Sequence, residues 1–203
     1  MELNLKILDL GCGKNKIKGA IGIDRIALEG VDIVRDLSQF PYHFEDRSID
    51  KIYCWHILEH FDVDTRMKVI EEIHRILKPT GLLEIVAPHA FSIGAFHDPT
   101  HKSFFTFHTM DYFTKQHPFS HYTVGHFSII ERRVRMHLSY DSKDYTALKN
   151  EVKFTLESIF GRILNKLFKL SNTLPDLLVK ILPFYVVEIF WLLKKEETVV
   201  VKP

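Results

Sequence analysis

The stretch Leu8-Asp-Leu-Gly-Cys-Gly13 joins a short apolar run to a tight glycine turn, and it decides which fold the chain can adopt. The apolar residues of Leu5–Leu10 predict a buried strand, and the two glycines predict a turn in which the backbone can approach a ligand. Open α/β sheets bind small molecules at the carboxyl ends of their strands, where this turn lies. The stretch therefore predicts the first strand of an α/β sheet with a ligand site at its end.

Four further strands and one helix are predicted in the first half of the chain. The strands are short apolar runs bounded by turn residues, at residues 20–23, 31–34, 50–55 and 82–87. The helix is indicated by apolar residues that recur every three or four positions, namely Met67, Ile70, Ile73, Ile76 and Leu77. Asp62 or Asp64 is expected to cap its start, and Lys78-Pro-Thr-Gly81 to end it. Strands that alternate with turns and helices predict a mostly parallel sheet.

The second half of the chain has a different character. Residues 88–126 are rich in histidine and phenylalanine, and their only regular pattern predicts a short helix at Met110–Lys115 with Thr109 as its cap. Strands are predicted at residues 128–140 and 185–193. Between them, apolar stripes predict two helices, which begin at Leu156 and Pro175.

The composition narrows the class of protein. The 203 residues are 46% hydrophobic and 26% charged, which suits one folded domain. Lys and Arg number 27 against 26 for Asp and Glu, so the chain lacks the basic excess of a nucleic-acid-binding protein. Two cysteines occur, Cys12 and Cys54, and the sequence shows neither a signal-peptide pattern nor an uncharged run of about 18 residues. These features predict a cytoplasmic protein with no nucleic-acid partner.

Of two nucleotide-binding motifs that use glycine turns, the dinucleotide fingerprint fits the sequence less well and the Walker phosphate loop is excluded. The dinucleotide fingerprint needs a third glycine where Lys16 stands, and its acidic residue lies about 20 residues further on, so that Asp24 comes too early. A Walker phosphate loop is excluded because no G-K-[ST] occurs. Asp24 and Asp36, which follow the second and third predicted strands, remain as acids at the same edge of the sheet. A carboxylate in the position of Asp24 can accept two hydrogen bonds from a ribose diol.

The order of these motifs resembles that of class I S-adenosylmethionine-dependent methyltransferases, most closely the small methyltransferase-11-like group with Leu-Glu-His after the fourth strand. The matching segments are Leu8–Gly13, Ile23-Asp24, Asp36-Leu37, Ile49-Asp50, Ile57-Leu-Glu-His60 and Arg75-Ile-Leu-Lys-Pro79. The resemblance implies a Rossmann-like three-layer α/β sandwich, whose seven-stranded, mostly parallel sheet has one antiparallel edge strand. It also implies that the last two strands form an antiparallel pair at one edge.

The resemblance further implies S-adenosylmethionine as the cofactor. Groups at the first turn would hold its methionyl part, those after the second and third strands its ribose and adenine, and those after the fourth strand would line its sulfonium. In chain order the implied cofactor-binding residues are Asp9, Gly11, Cys12, Gly13, Asp24, Arg25, Asp36, Leu37, Trp55 and His56. The chain departs from the family at Lys14–Gly19, where too few residues remain for a crossover helix, so an irregular connection is expected there.

We therefore predict one methyltransferase domain over residues 1–203, with a cofactor-binding half (1–89), a loop for the methyl acceptor (90–127) and a C-terminal strand–helices–strand unit (128–203). The phenylalanines of the acceptor loop either cover the transferable methyl or pack on the sheet. The basic helix that begins at Leu156 has either an ordinary core face or contacts a membrane surface. The expected acceptor is a small molecule or a hydrophobic, lipid-like one. The alternative is a non-catalytic binding module of the same fold.

One group of histidines suggests a different enzyme. The chain contains 12 histidines, and His56-Ile-Leu-Glu-His60 matches the H-x-x-E-H motif of zinc peptidases. In that motif both histidines of one continuous helix bind the metal, and Glu59 would be the general base. Alternatively, Glu59 and His60 only tie the turn after the fourth strand to neighbouring loops.

A second cluster, His97-Asp-Pro-Thr-His101, lies in the loop after the fifth strand. It either ligates a metal with help from His56, His60 or His89, or forms a rigid turn. The turn is the preferred interpretation, and no metal is expected. The residues predicted to face the acceptor are His60, His97, His101 and Phe104. His89 and His56 are the candidates for a catalytic base, because an imidazole titrates near neutral pH.

Overall fold

The computed structural model describes residues 5–137 and 186–197, which form a seven-stranded sheet with helices against it. The strands are β1 (Ile7–Leu10), β2 (Ile21–Asp24), β3 (Ile33–Val34), β4 (Ile49–Trp55), β5 (Leu77–Pro88), β6 (Phe127–His137) and β7 (Val186–Lys195). The helices are α1 (Val63–Ile76) and α2 (Ile93–His97), with 3₁₀ turns at Leu58–His60, Thr109–Phe113 and Ser120–Tyr122. No helix within the described ranges has the length and apolar character that crossing a membrane requires.

The strand order confirms the predicted Rossmann-like architecture. The sheet runs β3-β2-β1-β4-β5-β7-β6, and the first five strands in this order are parallel. β7 runs antiparallel to both of its neighbours, β5 and β6, so the predicted antiparallel pair at one edge is present. The antiparallel strand itself lies one position inside the edge, because β6 pairs with its outer side.

The helix α1 links β4 to β5 and packs on the sheet. Asp62 caps its start, since the Asp62 carboxylate accepts a hydrogen bond from the Thr65 amide at 2.9 Å. Its buried apolar face consists of Val69, Ile70, Ile73 and Ile76. The chain passes from Ile76 straight into β5, so α1 ends before the predicted stop at Lys78–Gly81. Those residues instead coincide with a shift in the pairing register of β4 and β5.

Other predicted elements differ in detail from the structure. The helix predicted at Met110–Lys115 is the 3₁₀ turn at Thr109–Phe113. Thr109 is the first residue of this turn and does not cap it. A capping hydroxyl would accept from an amide within the turn, whereas the Thr109 hydroxyl accepts a hydrogen bond from the preceding Thr106 amide at 2.8 Å. The two helices predicted from Leu156 and Pro175 lie outside the described residues.

The connection from β1 to β2 contains no helix, as its short length predicted, although the two strands are parallel neighbours. Polar contacts hold this connection in place. The buried Asp9 carboxylate accepts a hydrogen bond from the Ile17 amide at 2.8 Å. The Lys16 ammonium lies 2.7 Å from the Asp32 carboxylate. These contacts tie the connection to β1 and to Asp32, directly before β3.

His74, near the end of α1, makes the stability of the fold depend on pH. Its ring is buried, its Nε2 lies 3.0 Å from the Glu196 carbonyl oxygen, and Phe127 packs against it edge to face. Burial lowers the pKa of His74 below its ordinary value of 6.5, and the charge of Lys195 acts in the same direction. The unfolded chain therefore binds a proton at His74 more readily than the folded chain does. The contribution of neutral His74 to the free energy of unfolding is complete above pH 6.5 and is lost as the pH falls below it.

We expect His74→Gln to remove this part of the pH dependence, since the glutamine amide can donate to the same carbonyl but does not titrate. The free energy of unfolding of both proteins is measured in denaturant between about pH 5 and pH 8, where histidine titrates. The advantage of the wild type over the variant should shrink as the pH falls. A difference that stays constant over this range would contradict the assignment.

Candidate active site

The carboxyl ends of the parallel strands bring the predicted cofactor residues to one edge of the sheet. The strand register pairs Leu10 of β1 with Ile23 on one side and with Cys54 on the other. On the next strand it pairs Asp24 with Val34. The turns that follow β1, β2, β3 and β4 are therefore neighbours in space, as the sequence pattern predicted.

The glycine turn after β1 has the geometry of a ligand cradle. Gly11 and Gly13 have positive φ angles of 71° and 53°, a conformation that disfavours side chains. A Cβ on Gly11 would lie 2.6 Å from the side chain of Ile57, so packing against the turn after β4 requires a glycine there. A Cβ on Gly13 would meet no atom within 4 Å, so Gly13 borders open space.

Asp24 presents its carboxylate beside this turn. Asp24 Oδ2 accepts a hydrogen bond from the Gly13 amide at 2.9 Å, and Oδ1 accepts one from the Ile26 amide at 3.0 Å. An ionised carboxylate offers about four acceptor positions, so one further position per oxygen remains for a ribose diol. Asp24, which is predicted to bind the ribose, thus lies next to the glycine turn that is predicted to hold the methionyl part of the cofactor.

Of the two residues predicted to border the adenine, Asp36 lies on the surface and Leu37 in the core. Asp36 is exposed, and hydrogen bonds from the Ser38 amide and hydroxyl lower its pKa, to which the nearby charge of Arg25 adds. Leu37 is only 5% exposed, and its carbonyl accepts a hydrogen bond from the Tyr42 hydroxyl at 2.8 Å. Asp36 is thus available to a ligand, whereas Leu37 is part of the hydrophobic core.

Three other predicted cofactor residues, Asp9, Cys12 and Trp55, contact neighbouring parts of the sheet and its connections. Asp9 and Cys12 are buried, Asp9 by its bond to the β1–β2 connection and Cys12 beneath Gly22, where an added Cβ would lie 2.7 Å from the Cys12 Sγ. Trp55 donates a hydrogen bond from Nε1 to Glu84 on β5 at 3.1 Å. Each of these three residues thus has a structural contact at the edge of the sheet where the cofactor is predicted to bind.

His56, directly after β4, lies between two buried carboxylates. Its Nδ1 is 3.3 Å from Glu59 Oε1, and its Nε2 is 3.1 Å from Glu188 Oε1. Its backbone has a φ of 53°, a left-handed conformation that is uncommon for residues with side chains. Burial would lower the pKa of His56, but the two carboxylates outweigh it and raise the pKa to about 10. A histidine that stays protonated at neutral pH does not suit the catalytic-base role predicted for His56.

Glu188 is a site residue that the sequence reasoning missed. It lies on β7 and reaches His56 because the antiparallel pairing of β5 and β7 sets Glu188 opposite Pro88, at the carboxyl end of β5. The available signal was one acid inside the apolar run Val186–Leu193. That signal does not specify a partner, because the partner depends on the register of the two strands.

His89 has surroundings that suit a structural residue better than the predicted catalytic base. It is completely buried, and its Nδ1 accepts a hydrogen bond from the Phe91 amide at 3.1 Å. Because an N–H donor occupies Nδ1, the proton of a neutral His89 is on Nε2. No basic nitrogen of the ring is then free to take a proton from an acceptor.

The residues predicted on the acceptor side lie in two places. The rings of His60 and His101 have centroids 4.8 Å apart, so the structure brings together residues from the turn after β4 and from the loop after α2. His97 is exposed at the end of α2. Phe104 is 47% exposed and packs against the exposed Phe96 at a centroid distance of 5.1 Å.

The zinc-peptidase alternative is wrong for geometric reasons. Its motif needs His56 and His60 on one continuous helix, but His56 has a positive φ and only Leu58–His60 form a single 3₁₀ turn. His56 is also paired with Glu188, which leaves it no lone pair for a metal.

A cavity of about 710 Å³ lies at the other end of the sheet, near the start of β5. Its lining includes Arg47, Arg75 and Lys195, and none of the predicted site residues. The cavity is therefore separate from the candidate active site.

Comparisons with known proteins agree with this architecture. A methyltransferase from Archaeoglobus fulgidus described as SAM-dependent superposes with a TM-score of 0.58 at 16% identity, over 94% of this chain and 86% of the other. A putative methyltransferase from Bacillus halodurans gives 0.56 at 16% identity, over 95% and 93%. Phosphoethanolamine N-methyltransferase 2 of Haemonchus contortus, solved with S-adenosyl-L-methionine, gives 0.54 at 14% identity, over 97% and 50%. At these identities the matches establish the fold.

The sequence comparisons establish the family. A search of curated protein sequences gives no significant match. The sequence profile of a family described as a methyltransferase domain matches residues 2–133, which is more than half of the chain. The chain accordingly belongs to this methyltransferase-domain family.

Proposed function

We propose that this protein transfers a methyl group from S-adenosylmethionine to a nucleophilic acceptor. The observation that carries the proposal is the pairing of the Gly13 turn with the Asp24 carboxylate at the carboxyl edge of a methyltransferase-family sheet. The open space beside Gly13 and the unused acceptor positions of Asp24 fit the methionyl part and the ribose of this cofactor. The bound cofactor supplies an electrophilic methyl group on a sulfonium ion.

The chain's own residues would hold and orient the reacting groups. The Gly11–Gly13 backbone would bind the methionyl part, Asp24 the ribose hydroxyls, and exposed Asp36 the adenine side. When no metal is bound, His56, Glu59 and Glu188 together carry a net charge of −1 if His56 is protonated, which favours a nearby cation such as a sulfonium. Because His56 keeps its proton, we infer that catalysis rests mainly on proximity and charge.

We propose a small or hydrophobic, lipid-like acceptor, bound by the segment 90–127. Exposed aromatic and aliphatic side chains are concentrated there, namely Phe91, Ile93, Phe96, Phe104, Tyr112, Phe119, Tyr122 and Val124. Such surfaces are typical of ligand-binding or partner-binding sites, and they favour an apolar acceptor. The near-neutral charge of the chain favours an acceptor other than nucleic acid. We also propose a cytoplasmic location, on the basis of the sequence pattern.

The experiment that tests this function is titration of the full chain with S-adenosylhomocysteine by calorimetry. The wild type should bind, and Gly13→Val should bind at least about 10-fold more weakly, equivalent to about 1.4 kcal/mol. The reason is that the valine side chain fills the open space of the proposed cradle.

Gly19→Val is the matched control for this titration. Gly19 also has a positive φ, of 84°, and a Cβ there would meet nothing within 4 Å, so both variants carry comparable backbone strain. Gly19→Val should bind S-adenosylhomocysteine like the wild type. Absence of heat with the wild type would instead indicate a non-catalytic module, and equal binding by both variants would place the cofactor elsewhere.

A further inference from the structure

Glu59, His60 and His101 form a cluster of metal-ligand groups beside the turn after β4. One donor atom from each side chain can be chosen so that all three lie within 4.8 Å of one another. The main chain holds the two contributing segments together, because the Glu59 carbonyl accepts hydrogen bonds from the amides of Lys102 and Ser103 at 2.8 and 3.1 Å. The cluster is thus part of a fixed contact between two loops.

The carboxylate of Glu59 is buried without the hydrogen bonds that burial normally demands. Glu59 is 1% exposed, and neither of its carboxylate oxygens accepts a well-aligned hydrogen bond. Oε1 lies 3.3 Å from Nδ1 of His56, and Oε2 has no hydrogen-bond partner. Burying a carboxylate is costly unless a cation or several donors compensate it. The His56 imidazolium is shared between Glu59 and Glu188, so this one cation stands against two carboxylates, and Oε2 of Glu59 has no hydrogen-bond donor of its own.

The hydrogen bonds around His60 orient it for coordination. The Thr100 hydroxyl donates its proton to Asp98 Oδ1 at 2.7 Å, and the same oxygen lies 2.9 Å from His60 Nδ1. A hydroxyl has one proton, so Thr100 must accept from His60 Nδ1–H. In the neutral ring the lone pair is then on Nε2.

His101 has the same tautomer for a similar reason. Its Nδ1 lies 3.0 Å from the Ala95 carbonyl oxygen, which can only accept a hydrogen bond, so Nδ1 carries the proton. The lone pair of the neutral ring is again on Nε2. Asp98 Oδ2 lies 3.9 Å from this nitrogen and adds a negative charge beside it. Histidines that donate one ring N–H to a fixed acceptor and leave the other nitrogen free are typical of metal ligands.

We propose that Glu59, His60 and His101 bind a zinc ion through one carboxylate oxygen and two Nε2 atoms. Two imidazoles and a carboxylate are a ligand set that zinc takes in sites with an open fourth position. Zinc bonds of about 2.0–2.1 Å hold tetrahedral donors roughly 3.3 Å apart. The donor atoms now lie within 4.8 Å of one another, so the side chains need to close by up to about 1.5 Å. The open position would bind an oxygen of the methyl acceptor. That role rests on the proposed function, whereas zinc binding does not.

Zinc binding is measured on the full chain in the absence of cofactor. Protein stripped with a chelator is titrated with ZnCl₂ against a chromophoric zinc indicator, and bound metal is counted by elemental analysis after dialysis. We expect one zinc ion per chain. Glu59→Gln and His101→Ala should each weaken binding at least about 100-fold, because loss of a ligand exceeds the 10- to 100-fold effect of losing a residue that orients one.

His97→Ala and His43→Ala are the matched controls, since both remove an exposed histidine outside the cluster and should bind zinc like the wild type. Circular dichroism and thermal unfolding check that each variant is folded. Should His101→Ala fail to fold, Glu59→Gln is nearly isosteric and carries the test, with the visible spectrum of bound Co²⁺ as the second readout. Wild-type protein without bound zinc after the titration would overturn the proposal. Wild-type affinity in folded Glu59→Gln would also overturn it.

Discussion

Replacing His56 with alanine is expected to lower the free energy of unfolding by about 3–5 kcal/mol, the cost of breaking a buried ion pair by removing one partner. The variant leaves Glu59 and Glu188 buried without the imidazolium between them. It also replaces histidine, which is enriched among residues with a positive φ, by alanine at a φ of 53°. Denaturant unfolding of the metal-free protein at neutral pH measures the effect.

Two further variants separate charge from backbone strain. His56→Asn removes the charge but retains a residue that tolerates the left-handed conformation, so it should remain less stable than the wild type by most of the same amount. His43→Ala removes an exposed histidine and should change stability by less than about 0.5 kcal/mol. If His56→Asn were as stable as the wild type, backbone strain and not the ion pairs would explain the alanine variant.

The second large effect is expected at Asp24. Asp24→Ala should weaken the binding of S-adenosylhomocysteine by about 1.5–3 kcal/mol, the range for hydrogen bonds to a charged group. This corresponds to a Kd raised about 10- to 150-fold. The variant removes the proposed ribose ligand and also releases the Gly13 amide from Asp24 Oδ2. The upper half of this range is therefore expected in calorimetric titration.

Glu29→Ala provides the control for Asp24→Ala. Glu29 is an exposed carboxylate in the loop that follows the same strand, so the control changes the net charge equally without touching the turn. It should bind the ligand like the wild type. Thermal unfolding must show that Asp24→Ala is folded. Unchanged affinity in the folded variant would exclude Asp24 from the cofactor site.

Much of the fold was predictable because its determinants are local. The apolar spacing of α1 reflects the 3.6-residue helical period, and the cap at Asp62 needs only the Thr65 amide one turn away. Gly11 and Gly13 indicated a turn with positive φ, and the structure has both. Because parallel strands align their carboxyl ends, the sequence also predicted that Asp24 lies near that turn.

The charged part of the site was not predictable in the same way. His56 was expected to be a base with a pKa near neutral, but β7 runs antiparallel between β5 and β6 and brings Glu188 to it. The register of a strand distant in sequence decides this contact, and a shift of one residue would turn Glu188 to the other face of the sheet. The sequence alone does not identify Glu188 as a partner of His56, so it could not indicate that the pKa of His56 is raised to about 10.

The proposed zinc site was predictable only in part from the sequence. The sequence supplied the residue types, in the segments His56–His60 and His97–His101, and it favoured a turn without metal for the second. Only the tertiary structure paired His60 with His101, excluded His56, and left a Glu59 oxygen without a hydrogen bond. Helical spacing and glycine conformation act over a few residues and can be read along the chain. Ion pairing, tautomers and burial depend on neighbours that the fold brings from elsewhere in the sequence.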